Sequence, residues 1–309
     1  MSPRTQQTPL QKYLQGDKSV RAQVSLTVAE GKLLIARAIA SLPEVRWAQE
    51  NGRVLLKGGT TVSALAEELV GVKMRVSGRI SPRGAKSAQN ADPNSPHSIL
   101  ISRGEWRNVD QDLPEVVSGL RAGDVAVIGA NIIDAQGRAA MMAGRALGGI
   151  PGQTLTGLMA QGVEILVAAG LEKLIPGSVD DAVRQAGMVG CDWSMGMAVG
   201  LMPIVGRVIT EVAALEILTG VSCTIIGRGG IDGAEGGTTL VVKGETSEVQ
   251  RAIDAVLSVK GAQTSGCPSS LPECRAGNPR CREHQPCVWR QWGKKGWGKW
   301  ETTGERSAL

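Results

Sequence analysis

The apolar positions of this chain fall into short aliphatic runs, separated by glycine turns and by stretches with helical spacing. Residues 27–42 place Leu33, Ile35, Ala38 and Ile39 on one helical face, and Thr27 followed three positions later by Glu30 is the signature of a capping box. Pro43 ends that helix. After the Asn51-Gly52 turn, residues 53–56 read as a short buried strand. Gly58-Gly59-Thr60-Thr61 comes next, and 60–70 then turns Val62, Leu65, Ala66 and Leu69 to one side and Glu67 and Glu68 to the other. The unit 54–61 is therefore a strand closed by a glycine turn that opens a helix. The alternation continues with strands over 98–103, 124–128 and 164–168 and helices over 155–161 and 178–186. Residues 78–96 read as a loop, and 189–206, rich in Gly and Met, show no clear period.

Strands, glycine turns and helices in this order predict an α/β domain over 26–208, with a mostly parallel sheet and helices on both faces. From 209 the pattern changes to a helix over 210–218, a strand over 224–226, a glycine-rich loop over 227–237, a strand over 238–242 and a helix over 247–259 capped by Ser247. This α-β-β-α run predicts a small ferredoxin-like α+β subdomain over 209–263. Residues 1–25 read as a flexible polar N-terminus and 264–309 as a basic tail rich in Cys and Trp.

Composition sharpens this picture in three places. With no Phe, one Tyr and 41 Gly among 309 residues, the core must be built from aliphatic side chains and tight turns. The net charge of +5 is concentrated at the end: residues 275–309 hold eight Lys and Arg against three Glu, so the body is near neutral and no nucleic-acid partner is expected from it. No apolar run reaches the length of about 18 residues needed to span a membrane, and six Cys without a secretory leader fit reduced thiols in a cytoplasmic protein.

The chemistry gathers at the strand ends. Gly58, Gly59, Thr60 and Thr61 combine exposed helix N–H groups, close backbone approach and two hydroxyls, which suits a phosphate or carboxylate; the same residues also make an ordinary capped turn. Gly129-Ala130-Asn131 ends the strand 124–128, with Asn131 a hydrogen-bonding group and Asp134 a base, or else an Asx turn fixing the strand end. Lys173, just past the strand 164–168, either pairs a ligand anion or is a solvated helix residue. Arg79, Arg83 and Lys86 either close over an anionic ligand or face water, and Glu235 lies in the glycine loop. In the tail, Cys267, Cys274, Cys281 and Cys287 with His284 offer ligands for zinc or an iron–sulfur cluster, although no Cys pair has the usual short spacing. The two His, His97 and His284, stand in no Ser-His-Asp or Cys-His arrangement, so acid/base chemistry would fall to Asp134, Glu164, Glu211, Glu235 or Lys173.

The order of Leu55-Leu56-Lys57-Gly58-Gly59-Thr60-Thr61, Asp124-Val-Ala-Val-Ile-Gly-Ala-Asn-Ile-Ile-Asp134 with Gly137, and the strand from Ile165 to Lys173 resembles the isomerase/CoA-transferase superfamily. That superfamily includes ribose-5-phosphate isomerase, CoA transferases and the LUD proteins. The resemblance covers roughly residues 27–180 and implies a phosphorylated or CoA-linked small anionic ligand at the first glycine turn. The isomerases place an acid directly after Gly-Ala, where this chain has Asn131, with Asp134 three later. Glu235, in Gly-Ala-Glu-Gly-Gly, has the neighbours of the CoA-transferase glutamate. Three functions stay open: an enzyme with Asp134, Asn131 or Glu235 at the reacting carbon, a non-catalytic sensor or regulatory subunit, and a scaffold or metal carrier acting through the Cys-rich tail. A homo-oligomer is the expected assembly.

Overall fold

The computed structural model describes residues 19–87, 95–274, 284 and 286–291. The chain enters through β1 (Val20–Leu26), α1 (Val28–Ser41) and α2 (Pro43–Asn51), and β2 (Val54–Lys57) leads through Gly58-Gly59 into α3 (Thr60–Val70). A hairpin of β3 (Gly78–Ser81) and β4 (Gly84–Ser87) precedes β5 (Ser98–Ser102), β6 (Glu105–Asn108), α4 (Leu113–Gly119) and β7 (Val125–Gly129). Then come β8 (Ile132–Ile133), β9 (Ala139–Ala143), α5 (Gly149–Ala160), β10 (Glu164–Ala168), α6 (Val179–Gln185), β11 (Gly200–Ile204) and β12 (Arg207–Ile209). The elements α7 (Glu211–Thr219), β13 (Ser222–Gly229), β14 (Gly237–Gly244) and α8 (Thr246–Ser258) follow.

The central sheet has six strands in the order β12-β10-β7-β2-β5-β6. Its first four are parallel. They are short aliphatic runs because both faces are covered. Val54, Leu56, Val125, Val127, Leu166 and Ala168 point into one core, closed by α1, α3 and α7. Leu55, Ala126, Ile128, Ile165 and Val167 point into the other, closed by α4 and α5. The strict alternation between the two cores is the two-residue period of a strand buried on both sides.

The protein is thus mixed α/β, but the expectation of a mostly parallel sheet needs correction. Of the ten strand pairings described, three are parallel. The cause is connection length. Two residues join β3 to β4 and β5 to β6, and a parallel pair needs a crossover of about a dozen residues or more.

The separate ferredoxin-like subdomain over 209–263 is also not what forms. Its helices and strands are present, but β14 pairs on its other side with β1, giving the order β1-β14-β13. Leu240, Val242, Val249, Ala252 and Val256 share one core with Leu34, Ile35 and Ile39 of α1. The N-terminal residues 20–26, read as part of a polar start, carry Val20, Ala22, Val24 and Leu26 at alternate positions, the stripe of a half-buried strand. The α1 capping box forms as expected from Thr27 and Glu30. In α8 the cap is Glu245, boxed with Glu248, rather than Ser247. No helix of the described residues is long and apolar enough to cross a membrane.

The basic loop becomes the β3–β4 hairpin, and its cations hold the C-terminal segment. Arg79 donates to the carbonyls of Ser270, Leu271 and Pro272, and Arg83 to that of Cys274. Lys86 Nζ reaches Glu273 Oε2 at 2.8 Å and Pro272 O at 3.0 Å. Trp289 donates its indole N–H to Arg83 O and lies 4.3 Å under the Arg83 guanidinium. Replacing Arg79 with alanine removes all three of its carbonyl contacts. Limited proteolysis should then cut between residues 265 and 275 faster than in the wild type; equal cleavage rates would refute the clamp.

Candidate functional site

The carboxyl ends of β2, β7, β10 and β12 form one edge of the sheet, the side on which open α/β sheets bind ligands. At the end of β2 the chain turns through Gly58 and Gly59, with φ of +51° and +100°. Gly59 is the N-cap of α3 and no side chain caps that helix, so its first N–H groups are not covered from the side. Among the described residues no atom comes within 4 Å of where a Cβ on Gly59 would stand, so they leave open space beside that glycine. A Cβ on Gly129 would lie 3.7 Å from the Gly58 carbonyl, which places the end of β7 beside the turn.

Lys57, the last residue of β2, is buried. Among the described residues nothing accepts a hydrogen bond from its ammonium. Burial pushes its pKa down to about 8; Asp110 opposes the shift and Arg75 adds to it. The antiparallel register pairs Lys57 with Ser98. His97 consequently lies over the turn, where a Cβ on Gly58 would stand 2.1 Å from its Cε1 and 2.6 Å from its Nε2. Burial, and then the charge of Lys57, lower the His97 pKa to about 4. The neutral ring donates Nδ1–H to Arg75 O at 3.2 Å, which leaves the lone pair on Nε2. Asp110 binds the neighbouring chain: its oxygens accept from the N–H groups of His97 and Ser98 and from Arg75 Nη2. The hydroxyls of Thr61, in the first turn of α3, and of Ser98 are buried and have no partner among the described residues.

Two carboxylates stand at the other end of the same edge. Glu211, 2% exposed, opens α7 one residue after β12 ends, and its Oε2 accepts from Leu171 N at 2.8 Å. Burial pushes its pKa up to about 7. Glu172 follows β10, and neither of its buried oxygens is hydrogen-bonded; Lys32 of α1 is 3.6 Å away. A Cβ on Gly170 would stand 2.0 Å from Glu172 Oε2 and 2.9 Å from Glu211 Oε1, so both carboxylates crowd one glycine. Burial lowers the pKa of Lys173 beside them. A cationic, glycine-lined end can hold an anion, and a carboxylate that titrates near neutral pH can exchange a proton.

Several expected site residues have other tasks. The Asp134 carboxylate takes four hydrogen bonds from Gln136 N, Arg138 N, Arg138 Nε and Val179 N, and these pull its pKa below the usual range against the effect of burial. It is the Asx-turn strut that ties the β8–β9 connection to the start of α6, with no oxygen left for a substrate. Asn131 Oδ1 accepts from Met142 N and its backbone N–H donates to Ala140 O, so this residue clasps the same hairpin. Glu235 is exposed on the β13–β14 connection. Arg79 and Arg83 grip the C-terminal segment instead of a ligand. In the tail, the Cys267 thiol donates to Lys73 O, and Cys281 lies outside the described residues. Among the described residues no three or more Cys, His, Asp or Glu side chains gather as a metal site. Of the expected binding residues, the Gly58–Thr61 turn, Gly129 and Lys173 all lie on the carboxyl edge. Reading the sequence put Glu211 among the possible acid/base residues and passed over Lys57, His97 and Glu172 as site residues.

Comparison with protein families, with characterised proteins and with solved structures returned no match to this chain.

Proposed function

We propose that this protein binds a phosphorylated or CoA-linked small molecule along the carboxyl edge of its sheet, in the cytoplasm. The anionic group lies at the Gly58–Thr61 turn beside Lys57, and Glu211 with Glu172 exchanges a proton with the ligand body. The observation that carries this reading is the buried side chain of Lys57, which has no hydrogen-bond or ion-pair partner among the described residues, at a strand end that opens directly onto a helix N-terminus. The resemblance to the isomerase/CoA-transferase superfamily supports the same ligand class. A sensor on the same fold is the second reading, favoured by the structural use of both Asn131 and Asp134.

The test is calorimetric titration with CoA, ribose 5-phosphate and inorganic phosphate, followed by turnover assays on any ligand that binds. Replacing Gly59 with valine fills the open space and forces a β-branched residue to φ near +100°. It should weaken binding by about tenfold or more and cost about 1–3 kcal/mol of stability. Lys57→Met, which removes only a buried charge, should weaken binding while the fold persists. Unchanged binding in both variants would sink the reading, and binding without turnover would favour the sensor.

A further inference from the structure

Among the described residues Lys57 and Lys86 are the least exposed lysines, and their surroundings differ. Lys86, 5% exposed, is fixed by Glu273 and by the Pro272 carbonyl. Lys57, 6% exposed, has no such partner among the described residues. Asp110, the acid whose charge acts on it, is already engaged by two backbone N–H groups and by Arg75. A buried lysine that serves structure is paired, because leaving its charge unpaired in a low dielectric is costly. An unpaired one at the mouth of a strand end has the properties of a nucleophile.

We infer that Lys57 forms an imine with the carbonyl carbon of an aldehyde or ketone that also carries the anionic group held at the Gly58–Thr61 turn. This inference rests on the anion-binding reading above. The neutral Lys57 nitrogen attacks the carbonyl carbon, forming the C–N bond as the C=O π pair moves to oxygen. A proton passes from nitrogen to oxygen to give a carbinolamine. The C–O bond then breaks, the oxygen leaves as water with the second nitrogen proton, and the C=N bond forms. No oxidant or reductant is needed. His97, neutral and resting against Gly58 with its Nε2 lone pair free of the Arg75 contact, is placed to carry the proton between nitrogen and oxygen. The substrate class is therefore a small carbonyl compound bearing a phosphate or similar anion.

The experiment treats the full-length protein at pH 7.5 with pyridoxal 5′-phosphate, and separately with glycolaldehyde phosphate, then reduces with borohydride and maps the adducts by peptide mass spectrometry. At that pH a lysine titrating near 8 is about a quarter neutral, against about 0.1% for an ordinary one. Lys57 should therefore be labelled about a hundredfold faster than the exposed Lys73 and Lys243, and excess inorganic phosphate should slow it. Lys57→Arg should lose that adduct while keeping the wild-type circular dichroism melt. The absence of Lys57 from both adduct maps, or labelling no faster than Lys73, overturns the imine. If calorimetry still shows phosphate binding in that case, only the imine fails and the anion site stands. Fast labelling of Lys57 that phosphate does not slow keeps Lys57 as an imine-forming residue but refutes the anion site and, with it, the proposed substrate class.

Discussion

Asp134→Ala should destabilise the protein by about 2–4 kcal/mol, a large part of the total stability of an ordinary domain. The side chain is fully buried, and each of its oxygens accepts two hydrogen bonds. Removing it leaves the N–H of buried Val179 without an acceptor and releases Arg138, which also reaches Asp180 and Ser178. Asparagine should rescue little. Its oxygen can serve Gln136 N and Arg138 N, but its NH₂ group would then face two further donors, Arg138 Nε and Val179 N. The sign of the pH dependence follows from the lowered pKa. Asp134 contributes stability that is fully present above its unfolded value near 3.9 and is lost as the pH falls through its lower folded value. Urea denaturation at pH 7 and pH 3 should show a large difference between wild type and variant at the first and a smaller one at the second. A variant of wild-type stability that lost only activity would return Asp134 to the catalytic role its sequence context suggested.

Glu211→Gln should have the opposite effect, stabilising the protein at high pH. The folded-state pKa of Glu211 is raised to about 7 from 4.5, so the folded protein binds the proton more tightly than the unfolded chain. Its contribution therefore falls as the pH rises from about 4.5 to 7 and is constant above that. The accumulated penalty is about 3 kcal/mol. Glutamine retains an acceptor for Leu171 N and carries no charge. The two proteins should be equally stable near pH 5, and the variant should be more stable by up to about 3 kcal/mol at pH 8.5, measured by urea denaturation. A variant less stable than wild type at pH 8.5 would mean that the Glu211 carboxylate is a paired structural charge. Gain of stability with loss of turnover is the expected signature of a group held in an unfavourable state for its chemistry.

The two glutamates and Asp134 show where sequence reasoning reached and where it stopped. Asp134 stood at the end of a legible strand, so its position was clear, but its role depended on Val179, 45 residues away, which docks α6 against it. Glu211 comes just after β12, a strand of three residues that follows the Gly- and Met-rich region and is too short to show a period of its own. Its burial exists only once β12 joins β10 and α1 closes against it at Gly31, where a Cβ would stand 2.5 Å from Glu211 Oε1. His97 is 40 residues from Lys57 in sequence, and the β2–β5 register alone brings it over Gly58. Arg79 and Arg83 looked ligand-facing because charge runs in loops usually meet solvent or solute. The partner they found is the far C-terminal segment.

What the sequence determined by itself is local. The aliphatic runs of β2, β7 and β10, the helical stripes of α1, α3 and α8, the Thr27–Glu30 capping box and the Gly58-Gly59 turn all follow from spacing and from backbone sterics, which act over a few residues. The pairing of β1 with β14, the antiparallel additions to the sheet, the burial of Lys57 and the raised pKa of Glu211 were decided by tertiary structure. They depend on burial and on partners distant in sequence, and charge and hydrogen-bonding cost change most steeply with burial.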